Sequence, residues 1–265
     1  MPFTIAVAGK GGTGKTTIAA LLIELLRERG AGPILAVDAD PNVNLHELLG
    51  LEVARTVGEL REETLERIAD LPAGLPKEQY LELGLQECLV EDEGVDLLVM
   101  GHGEGPKCYC MVNHILRKYI DVLRGNYKYV VIDNEAGMEH LSRRTTQDVD
   151  ALIVVARADP ISIRSARRIS ELAAALKLRI KGRYLLVNDL AGELPPALEA
   201  ELAQTGLPLL GVVPHDEEVL RLALAGRPLS NLSAGSPAKR GLARSLEALT
   251  REERSTPKEV EQRWR

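Results

Sequence analysis

The sequence predicts an α/β protein built on a doubly wound, mostly parallel sheet of about seven or eight strands flanked by helices. Short apolar runs alternate with helix-period patterns along all 265 residues. Several of those runs are continuous rather than alternating, which is how strands covered on both faces read. Apolar residues make up 45% of the chain but aromatics only 3%, so the core must be built from Leu, Ile, Val and Ala.

Strands are expected at 3–8 (FTIAVA), 33–38, 95–100, 127–133 (YKYVVID), 151–157 (ALIVVAR), 183–188 (RYLLVN) and 207–213. Between them, apolar residues at helical spacing predict helices at 15–29, 44–50, 56–69, 76–90, 111–124, 137–148, 161–178, 195–204, 216–225 and 236–253. Right-handed crossovers then make the sheet parallel, and ligands of such sheets bind at the C-terminal ends of the strands. Residues 70–78 (DLPAGLPKE) read as an inserted excursion. The expected organisation is one domain over 1–254 and a charged tail over 255–265, in which Val260 and Trp264 are the strongly apolar residues.

Composition narrows the function. A formal charge of −6 argues against non-specific nucleic-acid binding, which needs Lys and Arg against phosphates. No run of 18 apolar residues offers a membrane span. Three cysteines do not make a disulfide framework, and a strand runs straight into a glycine-rich loop where a signal peptide would be cleaved. A cytoplasmic protein is expected.

The glycine-rich loop Gly9-Lys10-Gly11-Gly12-Thr13-Gly14-Lys15-Thr16-Thr17 follows a strand and opens a helix. That is the phosphate-binding loop G-x-x-x-x-G-K-[ST] in its required setting, so the fold is expected to be that of a P-loop NTPase. Backbone N–H groups of Gly11, Gly12, Thr13, Gly14 and Thr17 would cradle phosphates of ATP or ADP at a helix N-terminus. Lys15 would bridge the β- and γ-phosphates, and the Thr16 hydroxyl would ligate Mg²⁺.

Carboxylates follow at strand ends. Asp133 closes an apolar strand in the Walker B manner and is expected to hold Mg²⁺. It opens the segment Asp133-Asn134-Glu135-Ala136-Gly137, the candidate switch II. Asp38 and Asp40 close the second strand in Asp-Ala-Asp-Pro. Two carboxylates beside a triphosphate would repel it without a cation between them, which again implies Mg²⁺. Asp40-Pro41 would also suit the cap of the next short helix.

Cys108-Tyr109-Cys110 places two thiols one residue apart. One such pair supplies two ligands where a closed soft-metal site needs four. Two copies related by a two-fold axis would supply all four. The same pair would also suit small buried hydrophobes or a redox dithiol. His114, four residues beyond, is a spare ligand or a solvated histidine, and Cys88 reads as packing.

The second lysine at the loop entrance, Lys10, makes K-G-G-T-G-K-T, which resembles the deviant Walker A family of ATPases. That family includes the nitrogenase iron protein, ParA and MinD ATPases and metal-centre maturation factors. The resemblance implies a homodimer in which Lys10 reaches the phosphates held by the partner. It also implies that Asp40 orients the attacking water, that Asp38 lies near Mg²⁺, and that Asn188 and the Pro214-His215 loop surround adenine. Gly137 would present its N–H to the γ-phosphate, although Glu135 stands where most of that family has proline. Taken together, KGGTGKT, DADP, DNEAG and Cys-Tyr-Cys resemble the maturation ATPases of nickel-dependent carbon monoxide dehydrogenase. This closer resemblance implies Ni²⁺, with Zn²⁺ the competitor, held by Cys108 and Cys110 at a dimer interface. Apo carbon monoxide dehydrogenase or acetyl-CoA synthase would be the client. A MinD/ParA-like positioning ATPase and an iron–sulfur electron-transfer or scaffold ATPase are the alternatives.

Overall fold

The computed structural model describes residues 2–67, 76–102, 118, 120–135, 148–175 and 179–253. In chain order the elements are β1 (Phe3–Gly9), α1 (Lys15–Glu28), β2 (Ile34–Ala39), α2 (Leu45–Leu49), α3 (Val57–Arg67), α4 (Lys77–Glu87), β3 (Leu89–Asp92) and β4 (Val95–Val99). A helical stretch at 120–124 leads to β5 (Tyr129–Asn134). Then come β6 (Asp148–Arg157), α5 (Pro160–Ala175), β7 (Arg179–Leu190), α6 (Glu199–Gln204), β8 (Leu209–Pro214), α7 (Glu217–Leu224) and α8 (Pro237–Glu253). The strands form one eight-stranded sheet in the order β3-β4-β2-β5-β1-β6-β7-β8. Every neighbouring pair is parallel except β3–β4. The strand order reverses direction at β1, so the loop after β1 opens at the switch point of the sheet, where ligands of this architecture bind.

The alternation of β1 explains the two layers of helices. Ile5 and Val7 face one side, where α1, α2 and α8 bury Ile18, Leu22, Leu45, Leu242 and Leu246. Ala6 and Ala8 face the other, where Ile163, Ala166 and Ala173 of α5 pack. Leu35 and Val37 of β2 share that second side with Leu60 and Leu81 of α3 and α4. Small alanines at the centre let α5 approach the sheet closely. Among the described residues no helix is long and apolar enough to cross a membrane.

Leu22 is 1% exposed in the middle of α1, the helix that carries the phosphate-binding lysine. Leu22→Ala is expected to cost roughly 2–5 kcal/mol, the range for emptying a packed leucine site. Urea unfolding followed by far-UV circular dichroism measures it, and a loss below about 1 kcal/mol would mean that this layer is loosely packed.

Two expectations need correction. The helix expected over 76–90 stops at Glu87, and Leu89–Asp92 is instead an antiparallel edge strand. Asp92 pairs with Val95, leaving Glu93-Gly94 as a two-residue hairpin loop with Gly94 at φ 80. Such loops need positive φ, which glycine adopts without a steric cost. Second, the strands expected at 151–157 and 183–188 are longer, because Asp148–Asp150 and Arg179–Gly182 also pair. Their polar residues hid the extension: Arg179 and Lys181 form ion pairs with Asp148 and Asp150 at 2.7 and 2.6 Å rather than entering a core.

Candidate nucleotide site

The loop between β1 and α1 is shaped by glycine where nothing larger fits. A Cβ on Gly9 would lie 2.5 Å from the carbonyl oxygen of Val155 on the neighbouring β6. Gly14 caps α1 with φ 85, and a Cβ there would lie 2.4 Å from Nδ2 of Asn188. The Thr13 hydroxyl donates to the Lys10 carbonyl at 2.8 Å, closing the turn. The two lysines diverge: Lys15 is buried at 8% exposure, while Lys10 stands exposed. A buried ammonium at a helix N-terminus is a built anion site.

Below the loop lie the carboxylates. Asp133, at the end of β5, is 1% exposed, and apart from the nearby Thr16 hydroxyl its carboxylate oxygens have no hydrogen-bond partner. Burial pushes its pKa up to about 7, with Asp38 adding to the rise and the nearby Thr16 hydroxyl and Lys15 ammonium opposing it. A buried carboxylate with only a hydroxyl beside it is a donor set suited to a hard divalent cation.

Asp38 is different. It is fully buried, and burial again raises its pKa, but three backbone N–H groups hold it. Asp40 donates to Oδ1 at 3.1 Å, and Asn44 and Leu45 donate to Oδ2 at 3.1 and 3.0 Å. Asp38 therefore anchors the start of α2, the capping role that the sequence suggested for Asp40-Pro41. Asp40 is half-buried, and its Oδ1 accepts from the backbone and side-chain amides of Asn42, both at 2.9 Å. Among the described residues no three His, Cys, Asp or Glu side chains gather to hold a metal unaided, so a cation here needs phosphate oxygens as well.

Beside the loop opens a cleft of about 310 Å³. Gly12, Thr13, Gly14 and Thr17 form one wall, and Asn188, Pro214 and His215 another. The structure thus brings the three residues expected around adenine against the phosphate-binding loop. Asn188 donates from Nδ2 to the Thr13 carbonyl at 2.9 Å, leaving Oδ1 and a second N–H for a ligand. Val213, Val219, Leu220 and Ala223 supply an apolar side. Asp216 caps α7, accepting from the Glu218 N–H at 2.9 Å. Burial would raise its pKa, but hydrogen bonds from Ser236, Ala238 and Glu218 outweigh this and lower it.

Arg157 and Asp189, which were not among the expected site residues, also line this cleft. Their signal was position, since Arg157 closes one expected strand and Asp189 directly follows another. Asn134 is buried and donates from Nδ2 to the Val7 carbonyl at 3.0 Å, which ties the end of β5 to β1. Glu135 is half-buried. Ala136, Gly137, Cys108, Cys110 and His114 lie outside the described residues. Cys88 is 1% exposed, with burial pushing its thiol up to about 11, and it packs among Leu60, Leu81 and Leu85 as expected.

A strand, a glycine-shaped loop with a buried lysine, a helix, and a buried aspartate on the adjacent strand define a P-loop nucleotide-binding domain. The family model described as the CobQ/CobB/MinD/ParA nucleotide binding domain matches residues 4–229, and the chain belongs to that family of ATPases. It is 46% identical over 230 residues to an uncharacterized ATP-binding protein of Methanocaldococcus jannaschii, covering 86% of this chain and 90% of that one. It is 32% identical over 256 residues to the carbon monoxide dehydrogenase accessory protein CooC of Rhodospirillum rubrum, covering 92% and 94%. In fold it resembles MinD in the MinC:MinD cell division complex of Aquifex aeolicus, with a TM-score of 0.70 at 23% identity over 96% of this chain and 97% of that one.

Proposed function

We propose that this chain is an ATP-driven maturation factor for a nickel enzyme, carbon monoxide dehydrogenase or acetyl-CoA synthase, and that it works as a nucleotide-clamped homodimer in the cytoplasm. The observation that carries this reading is the Cys108-Tyr109-Cys110 pair in a chain that aligns with CooC over 94% of that protein's length. In this reading residues 1–254 are one ATPase domain and 255–265 a charged tail.

The triphosphate of ATP lies along Gly11–Thr17, with Lys15 between the β- and γ-phosphates. Thr16 and Asp133, with Asp38 behind them, would hold Mg²⁺, which when bound would neutralise phosphate charge. Lys10, exposed at the loop entrance, extends to the partner's nucleotide. Asp40 orients a water that attacks the γ-phosphorus. The bond from that phosphorus to the β–γ bridging oxygen breaks, yielding ADP, inorganic phosphate and a proton released to solvent. Loss of the γ-phosphate releases the Asp38–Asn44 and Asp133–Gly137 segments and loosens the dimer. The Cys108 and Cys110 thiolates of both subunits, brought together around Ni²⁺ in the ATP state, then separate and release their cargo to the client.

Anaerobic nickel binding with and without ATP tests this, with molar mass measured by light scattering on the same samples. The expected result is about one Ni²⁺ per two chains, lost in Cys108→Ser/Cys110→Ser while ATP hydrolysis persists. Equal nickel binding by wild type and double variant would end the maturation reading. An ATP-dependent shift onto anionic vesicles would favour a MinD-like positioning ATPase. A brown protein after anaerobic purification would favour the iron–sulfur alternative.

A further inference from the structure

The two residues at the end of β7's buried run do something a regular strand cannot. In an extended strand, consecutive side chains point to opposite faces. Here Asn188 and Asp189 both line the nucleotide cleft. The cause is an irregularity in the β7–β8 pairing between Val187 and Leu190, with Asp189 at φ 59. Aspartate tolerates that left-handed backbone better than most residues with a Cβ. Bulges of this kind re-aim side chains beside functional sites.

The re-aimed Asp189 carboxylate is fully engaged. Its Oδ2 meets an Arg157 guanidinium nitrogen at 2.9 Å, and its Oδ1 meets His215 Nδ1 at 2.5 Å. Arg157, Asp189 and His215 come from the ends of β6 and β7 and the residue just after β8, three neighbouring strands at the C-terminal edge of the sheet. All three line the same cleft as the phosphate loop and the apolar side chains. Exposed ion pairs of this sort contribute little to stability, so the arrangement needs a reason other than folding.

We infer that Asp189 is a positioning residue for the purine of the bound nucleotide: it fixes Arg157 and His215 as two planar groups in the cleft. A guanidinium and an imidazole held flat suit an aromatic ring by stacking on its face, and the guanidinium can also donate to its ring nitrogens. The carboxylate itself, which would repel a nucleotide if bare, is masked by both. This inference rests on the cleft being the ATP site, and it assigns base recognition to residues that do not touch phosphate.

Steady-state hydrolysis on the full chain tests it, using ATP as substrate and tripolyphosphate as a competitor that occupies the phosphate loop without a base. Asp189→Asn keeps a side chain that tolerates the left-handed backbone and removes the charge. The expected result is a rise of about tenfold in KM for ATP, with the inhibition constant of tripolyphosphate changed less than about twofold. Arg157→Ala/His215→Ala, which leaves the bulge intact, gives the same pattern. Adding Asp189→Asn to it produces no further loss. Equal weakening of ATP and tripolyphosphate in both variants, or no change in either ligand, overturns the inference. A wild-type chain that hydrolyses ATP without inhibition by tripolyphosphate would instead count against the placement of the phosphate site itself.

Discussion

Asp133→Asn is expected to make the cation-free protein more stable at pH 8 while lowering Mg²⁺-dependent ATP hydrolysis by at least about 100-fold. The two effects share one cause. Unfolded, an aspartate titrates near its ordinary value of 3.8; folded, burial holds Asp133 at about 7. Between those values the native chain keeps a proton that the unfolded chain has released. Stability of the cation-free protein therefore falls as pH rises through that window. Above pH 7 the accumulated cost is on the order of 4 kcal/mol. Asparagine removes the charge but leaves an amide with only the Thr16 hydroxyl beside it, which returns roughly 1–3 kcal/mol of that gain. The net is a rise of a few degrees in Tm at pH 8, fading toward pH 4. Scanning calorimetry at both pH values without divalent cation measures it. A lower Tm for the variant at pH 8 would show that the Thr16 hydroxyl and Lys15 ammonium hold the carboxylate more strongly than burial penalises it. Loss of hydrolysis without that gain would point to damage in the loop rather than to a missing ligand.

Lys10→Ala is expected to lower kcat by about 10³-fold, the scale of a cation delivered to a phosphoryl transition state from a second molecule. The exposure of Lys10 beside the buried Lys15 is what makes delivery outward possible. Complementation isolates the second-molecule origin. Lys15→Ala alone is also expected to be inactive. A dimer of one Lys10→Ala and one Lys15→Ala subunit contains one site with an intact Lys15 and a partner's intact Lys10. A one-to-one mixture of the two inactive proteins should therefore recover about a quarter of wild-type activity, since half of the dimers are mixed and each has one working site. Recovery indistinguishable from zero, with mixed dimers shown to form, would place Lys10 in its own subunit's site.

The parts of this molecule that could be read from the residues are those with local causes. The phosphate loop is legible because Gly9, Gly14 and Lys15 are each required by the turn they make, and the turn recurs wherever that chemistry is needed. The central strands are legible because burial on both faces leaves no room for polar residues, as Ile5–Ala8 and Val130–Ile132 show. What escaped depends on partners distant in the chain. The strand Leu89–Asp92 is specified by its pairing with β4, and its four residues continue an amphipathic pattern that reads equally well as helix. The polar ends of β6 and β7 are strands only because each satisfies the other. Asp38 and Asp40 could be placed around the end of β2 but not sorted, since which one caps α2 depends on how the chain turns after Pro41. Asp189 was invisible for a similar reason: its neighbour Asn188 occupied the expected direction, and the irregular pairing with β8 that turns both inward leaves no mark on composition.

The short antiparallel strand has a consequence for how this molecule meets others. An exposed sheet edge is an open row of donors and acceptors on which another chain can continue the ladder. Here that edge is four residues long and ends in the exposed Glu91 and Asp92, the latter drawn toward Arg27 at 3.2 Å. A hairpin returning on itself, brief and negatively charged, gives an incoming strand almost nothing to grip. That flank is a poor template for extending the sheet into another chain, so its surface offers side chains rather than a ladder of backbone groups.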